Sequence, residues 1–284
     1  MTRSIPRRTW FGLLVMVVSE AATLAGIEPF HSWNTPIAWT GYILFVDGIV
    51  WTRRGNSWLS NSRAEFLFLA LSSIPLWLVF ELYNELVLRN WHYVGLPASL
   101  PLRNLGYAWS FATIWPAIFE TGELVSSLRD RRAPAGRGAG LVRQRLSALA
   151  WVSVGAGALM LLLPLAYPSP YLAAPIFLGF ALLLDPLNAR AGSESILGDV
   201  REGRFGRLIN LMLAGAICGL LWEFWNYWAG AKWIYTVPIL PGLRIFEMPV
   251  LGYLGFPPFA VECFTMYVAT RRWIWRGPSR AISV

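Results

Sequence analysis

Two segments of the chain repeat the same polar and aromatic residues at the same spacing. Each has a glutamate and an asparagine three residues apart, and a Trp-x-Tyr motif that begins seven residues after the asparagine. The copies are separated by 142 residues without a gap: Glu81, Asn84, Trp91 and Tyr93 in the first, and Glu223, Asn226, Trp233 and Tyr235 in the second. Residues three apart lie on one face of a helix, so each glutamate is expected to point the same way as its asparagine.

A second pair of glutamates recurs at the same offset. Glu120 and Glu262 each lie four residues after a proline, Pro116 and Pro258, inside apolar stretches. Because a proline frees a backbone carbonyl one turn earlier, this part of the helix is expected to face protein or a cavity. A carboxyl group desolvated among apolar residues can keep a proton and donate it, whereas a cluster of carboxylates can hold a hard cation.

These spacings predict one central cavity, lined by the four glutamates and the two asparagines. The predicted catalytic residues are Glu120, Glu262, Glu81 and Glu223, and the predicted substrate-binding residues are Asn84, Asn226, Trp91, Tyr93, Trp233 and Tyr235. Glu120 and Glu262 are predicted to be the functional acids because they lie deepest in their spans, with the Glu-x-x-Asn pairs as a polar rim. The structural alternatives are interhelical hydrogen bonds for the deep glutamates, bracing at helix ends for the other two, and an interfacial belt for the rings.

The sequence predicts no metal site and implies no cofactor, although a hard cation on the carboxylates stays an alternative. The only histidines, His31 and His92, have no counterpart in the other copy, which argues against haem, zinc and His-ligated iron. Asp47 and Asp185 recur at an offset of 138, toward one end of their spans and close to arginines. This position favours a structural role for the two aspartates.

The composition predicts that the chain lies in a lipid bilayer. It is 56% hydrophobic and 14% charged, whereas charged residues make up about a quarter of a soluble domain. The net charge of +8 is typical of arginines retained on the cytoplasmic side of a membrane protein. Nothing in the sequence resembles a basic recognition helix, so the predicted partners are the bilayer and a lipophilic small molecule, without nucleic acid.

The apolar segments predict an all-α polytopic membrane protein with eight spanning helices, each of about 20 residues. The predicted spans are 10–26, 36–52, 64–86, 106–127, 147–167, 170–187, 207–228 and 249–270. If both termini are cytoplasmic, 20 of the 24 Lys and Arg residues lie inside, and only Arg89, Arg103, Lys232 and Arg244 lie outside. This bias predicts a multi-pass protein of the cell (inner) membrane with both termini in the cytoplasm.

The repeat also predicts the domain organisation. Residues 1–128 form a first four-helix repeat, 129–146 a basic cytoplasmic linker, and 147–284 a second four-helix repeat. An even number of spans in each half makes the two repeats enter the membrane in the same sense. They are therefore expected to be parallel, related by an axis along the membrane normal.

The order of these motifs resembles that of the small membrane-embedded lycopene cyclases and the membrane carotenoid hydratases, over residues 81–120 and 223–262. The resemblance implies that Glu81, Glu120, Glu223 and Glu262 protonate a polyene double bond. It implies that the two asparagines orient these acids and that the aromatic rings stabilise a carbocation. The chain departs from the cyclase pattern in having one glutamate after a longer gap in PAIFE and PFAVE, and Glu-x-x-Asn in place of adjacent Asp-Asn.

Three functions are compatible with the sequence. An isoprenoid- or carotenoid-modifying enzyme that uses intramembrane glutamates for cyclisation or hydration accounts for the acids, the rings and the membrane together. A transporter of a cation or a small lipophilic molecule accounts for two like halves with carboxyl groups at mid-membrane. A non-catalytic membrane partner protein is the third alternative.

Overall fold

The computed structural model describes residues 3–129 and 146–284, which are almost entirely helical outside short loops. Its long helices are α1 (Arg7–Leu24), α2 (Phe30–Arg54), α4 (Arg63–Tyr83), α5 (Leu100–Arg129), α6 (Ala148–Ala166), α7 (Ala173–Arg190), α9 (Gly206–Trp228) and α10 (Phe256–Ile274). The shorter elements are α3 (Trp58–Asn61), a π-helical turn (Asn84–Leu88), β1 (Trp91–Val94), α8 (Ile196–Arg201), β2 (Lys232–Tyr235), β3 (Arg244–Ile245), β4 (Met248–Pro249) and a 3₁₀ helix (Val250–Gly255). The predicted linker falls almost wholly outside the described residues.

The eight long helices overlap the eight predicted spans, with three larger differences at their beginnings. Helix α2 begins at Phe30, six residues before the predicted span. Helix α5 begins at Leu100, six residues before the predicted span. The last predicted span begins as the 3₁₀ helix, and α10 follows from Phe256 with prolines in its first turn. Prolines suit that turn because the N–H groups they lack would have no partner within the helix.

Many large apolar side chains face outward, as expected for helices that contact lipid. Leu149, Leu162, Trp10 and Phe11 are all exposed on α1 or α6. Three helical segments within the described part of the chain are long and apolar enough to cross a membrane: Arg63–Leu88, Ala148–Ala166 and Gly206–Trp228. The structure is therefore mostly helical and compatible with a membrane protein.

Glycines allow the first two long helices of each half to pack in close contact. A Cβ atom on Gly12 of α1 would lie 2.4 Å from the carbonyl oxygen of Gly41 in α2. A Cβ atom on Gly157 of α6 would lie 2.7 Å from the carbonyl oxygen of Gly179 in α7. Backbones approach this closely only where both crossing helices carry small residues.

The recurring aspartates hold short helices onto the ends of α2 and α7. Asp47 accepts a hydrogen bond from the backbone N–H of Leu59 in α3 (2.9 Å) and pairs with Arg8 (2.6 Å). Asp185 accepts hydrogen bonds from the N–H groups of Ile196 and Leu197 in α8, both at 2.7 Å. Free N–H groups in a first helical turn bind carboxylates well, so the structural role predicted for both aspartates is confirmed.

Candidate functional site: an aromatic chamber

The two asparagines of the repeated motif organise the backbone of the Trp-x-Tyr segments. Asn84 accepts a hydrogen bond from the N–H of Trp91 (3.2 Å) and donates one to the Trp91 carbonyl (2.9 Å). Asn226 makes the same two hydrogen bonds with Trp233, both at 2.9 Å. In each half, one side-chain amide therefore forms hydrogen bonds with both the backbone N–H and the backbone C=O of the residue seven positions later.

The Trp-x-Tyr segments of the two halves pair with each other as antiparallel strands. In the ladder of β1 and β2, Trp91 lies opposite Tyr235 and Tyr93 lies opposite Trp233. Side chains two apart in a strand point to the same face, so the ladder directs all four rings to one side. The carbonyl of Asn90 also accepts a hydrogen bond from the N–H of Thr236 (2.8 Å), which extends the pairing.

The hydroxyl group of each tyrosine is hydrogen-bonded to a glutamate of its own half. The Tyr93 hydroxyl donates to Glu81 Oε1 (2.5 Å), and the Tyr235 hydroxyl donates to Glu223 Oε1 (2.8 Å). Burial raises the pKa of both tyrosines well above its usual value. Both phenols are therefore protonated and available as hydrogen-bond donors.

The two glutamates differ in the number of hydrogen bonds that their carboxyl groups accept. Glu81 also accepts hydrogen bonds from the indole N–H groups of Trp77 (2.7 Å) and Trp91 (3.3 Å). Position 219, which corresponds to Trp77 at the offset of 142, is a glycine. Glu223 is fully buried, and its Oε2 has no hydrogen-bond partner among the described residues.

The four rings of the ladder line a cavity of about 520 Å³, called here the aromatic chamber. Its walls come from α2, α4, β1, α5, α7, α9, β2, β4, the 3₁₀ helix with the start of α10, and the loops next to them. Six tryptophans contribute to them: Trp33, Trp39, Trp77, Trp91, Trp222 and Trp233. Arg103 and Lys232 also line the chamber. A cavity of this size and character suits a lipophilic small molecule.

The chamber does not contain the acids and amides that the sequence predicted to share one cavity, so the prediction of that shared lining was wrong. Its walls include none of the four glutamates and neither of the two asparagines. The asparagines turn toward the backbone of the strands, and Glu81 and Glu223 lie one hydrogen bond behind the tyrosines that do line it.

The two deep glutamates lie elsewhere in the bundle. Glu120 is twenty residues into α5, about 30 Å along its axis, whereas the last residue of α5 that lines the chamber is Ile114. Both carboxyl oxygens of Glu120 lack a partner within the described ranges. Glu262 accepts a hydrogen bond from the N–H of Phe180 in α7 (2.8 Å). A catalytic role for this pair stays a prediction.

Several chamber residues could not be selected from the repeat because they occur in only one half. Trp77 precedes Glu81 by four residues and so shares its helix face, which is the only signal in the sequence that links the two. The spacing of Arg103, Tyr107 and Ser110 along α5 likewise places them on one face. Within residues 3–129 and 146–284, no group of three or more His, Cys, Asp or Glu residues could hold a metal ion.

No known protein family, curated protein or solved structure matches this chain.

Proposed function

We propose that this protein is a multi-pass enzyme of the bacterial inner membrane that binds an isoprenoid or carotenoid in the aromatic chamber and modifies it by acid catalysis. The observation that carries the proposal is the chamber itself. It is built by the same Trp-x-Tyr segment of both halves, with a glutamate hydrogen-bonded to each tyrosine. Aromatic walls suit an unsaturated hydrocarbon, and their faces stabilise a positive charge that forms on it.

In this proposal all eight long helices span the membrane, in two parallel repeats with both termini cytoplasmic. The asymmetric distribution of Lys and Arg supports this topology. The strand ladder supports a two-fold relation between the halves. At the offset of 142, Trp91 corresponds to Trp233 and Tyr235 corresponds to Tyr93, so exchanging the halves exchanges the two Trp–Tyr pairs of the ladder. The axis then passes between His92 and Ile234, and the chamber lies at the end of the bundle that faces away from the cytoplasm.

The proton is proposed to reach the ligand through a tyrosine. Tyr235 lines the chamber and shares a hydrogen bond with Glu223. With Glu223 neutral, its O–H donates to the phenol oxygen. The phenol passes its own proton to a carbon of the double bond as the carboxyl proton replaces it, so Glu223 becomes the carboxylate. A buried carboxyl group without a cationic partner is more stable neutral than charged. The cation on the ligand is then attacked by a second double bond, which closes a ring, or by water. The ring-closed cation or the protonated alcohol loses one proton, which returns through Tyr235 to the carboxylate of Glu223 and completes a cyclisation or a hydration.

Glu81 is proposed to act differently from its counterpart. Its carboxyl group accepts hydrogen bonds from three ring donors, Trp77, Trp91 and Tyr93, so its oxygens are already occupied. Glu81 then fixes the rings of the first half and keeps the chamber in shape. This difference assigns the acid to the second half of the repeat.

The test is mass spectrometry of lipid extracts from polyene-producing cells with and without the gene. A cyclised or hydrated product is expected with the wild-type protein, and its loss is expected with Glu223→Gln. Glu81→Gln should lower product formation less. Glu120→Gln and Glu262→Gln test the deep acids that the sequence predicted. Full product formation by a folded Glu223→Gln protein would exclude the proposed acid.

Transport of a lipophilic molecule is the second candidate function. The chamber lies where the two halves meet, as binding sites of transporters built from repeats do, and β1 of one half pairs there with β2 of the other. Purified protein in proteoliposomes distinguishes the two functions. Chemically unchanged ligand that accumulates across the bilayer supports transport, and a new product without accumulation supports the enzyme.

A further inference from the structure

We propose that the ligand of the aromatic chamber carries an anionic head group, a carboxylate or a phosphate, and that Arg103 binds it. The inference rests on the proposed function only in that the chamber takes a lipophilic molecule. The further claims are that this molecule has a charged head group, and that it lies in the chamber with that head group at Arg103.

The chamber wall formed by α5 changes from charged to apolar along the helix. Arg103, Tyr107, Ser110 and Ile114 are spaced by four, three and four residues and all line the chamber. Arg103 lies in the first turn of α5, close to the strands, and Ile114 lies about 16 Å farther along the axis. An amphiphile with its head at Arg103 and its hydrocarbon among the rings matches this gradient.

The hydrogen bonds of Arg103 leave most of its guanidinium group available. Its Nε donates to the carbonyl of Pro97 (3.2 Å), and within the described parts of the chain it forms no ion pair with a carboxylate. Both terminal nitrogens can therefore point to a bound oxyanion. A guanidinium group binds carboxylate and phosphate through two parallel hydrogen bonds, which is a stronger and more specific contact than a single ammonium makes.

The second cationic side chain of the chamber, Lys232, already forms an ion pair. Lys232 pairs with Glu247 (2.6 Å) and also donates to the carbonyl of Tyr227 (3.3 Å). An anionic head group at Lys232 would have to compete with this carboxylate. Arg103 is therefore the better binding residue of the two.

Arg244 offers a matched control. Like Arg103, it donates its Nε to a proline carbonyl, that of Pro241, at 2.8 Å. It is exposed and does not line the chamber, although its Nη2 also donates to the backbone carbonyl of Tyr235 (3.4 Å). The substitutions Arg103→Gln and Arg244→Gln thus remove the same charge from similar local structures, and only the first removes a side chain from the chamber wall.

Retinoids are suitable probes because they are isoprenoid polyenes whose absorption overlaps tryptophan emission, and six tryptophans line the chamber. Quenching of tryptophan fluorescence in the purified full-length protein measures binding of retinol, retinoic acid and retinyl phosphate. These ligands share a hydrocarbon and differ in the head group. The wild-type protein is expected to bind at least one of the two anions roughly ten- to a hundredfold more tightly than the alcohol.

Arg103→Gln is expected to abolish this preference by lowering the affinity for the anions to that for retinol. Circular dichroism and tryptophan emission of the unliganded variant that match the wild type show that it is folded. Arg103→Lys should keep part of the preference, and Arg244→Gln all of it. The stronger of the two anions identifies the head group as a carboxylate or a phosphate. Equal binding of all three retinoids by the wild-type protein, or a preference that survives in Arg103→Gln, overturns the inference. If no retinoid quenches the emission, the proposal that the chamber binds a lipophilic molecule fails instead.

Discussion

The structure predicts that Asn226→Ala destabilises the protein by separating the second Trp-x-Tyr segment from its helix. Antiparallel pairing leaves the N–H and C=O groups of every second residue pointing away from the partner strand. In β2 these are the groups of Trp233, and the side chain of Asn226 binds both of them at 2.9 Å. Alanine removes both partners at once.

The expected loss follows from these two hydrogen bonds. Each contributes about 1 kcal/mol net, and a buried polar group left without a partner costs about 1–3 kcal/mol. Trp233 is only partly buried, so water can reach some of the freed groups, and a total of about 2–4 kcal/mol is expected. Asn84 also accepts a hydrogen bond from the N–H of Asn90 (2.8 Å), so Asn84→Ala should cost more than Asn226→Ala.

Reversible unfolding in mixed micelles, followed by tryptophan emission or circular dichroism, measures the change. Asn104→Ala is the control, since Asn104 is an exposed asparagine on α5, and its free energy of unfolding should stay within about 0.5 kcal/mol of the wild-type value. If Asn226→Ala is as stable as the control protein, the asparagine does not hold the strand and the account given for the repeated motif is wrong.

Three further predictions concern the packing around the site. Gly157→Ala should destabilise the protein in the same unfolding assay, because its Cβ would lie 2.5 Å from a backbone nitrogen of α7. Gly155→Ala is the control: no atom lies near its Cβ, so it should be neutral or stabilising by up to about 1 kcal/mol. Arg280→Met should cost about 1–3 kcal/mol, because Glu123 loses the guanidinium group that it binds at 2.7 Å and keeps the nearby Arg54 and the N–H of Ser283. Asp185→Ala should cost about 1–2 kcal/mol through the two N–H groups of α8, measured by the midpoint of thermal unfolding. Equal stability of the two glycine variants, or wild-type stability of either of the others, would contradict the packing described here.

The sequence alone was sufficient to locate the helices and the repeated motif. Long apolar segments predicted all eight long helices, because an apolar run of that length leaves few alternatives to a helix. The recurrence of Glu-x-x-Asn and Trp-x-Tyr identified the residues that organise the site. The same hydrogen bonds, from Asn84 to Trp91 and from Asn226 to Trp233, occur in both halves.

The tertiary structure decided which of these residues meet. The pairing of β1 with β2 joins segments that are about 140 residues apart, and their local spacing does not specify a partner. Spacing alone also placed Glu120 in the predicted cavity, whereas the chamber extends along α5 only as far as Ile114, six residues before Glu120. The difference between Glu81 and Glu223 depends partly on Trp77, a residue outside the motif that supplies a donor in only one half. It also depends on the indole N–H of Trp233, which donates to the Tyr235 hydroxyl, whereas that of Trp91 donates to Glu81. A periodic pattern specifies the face of a helix on which a residue lies, but the surroundings of that face depend on how the helices pack.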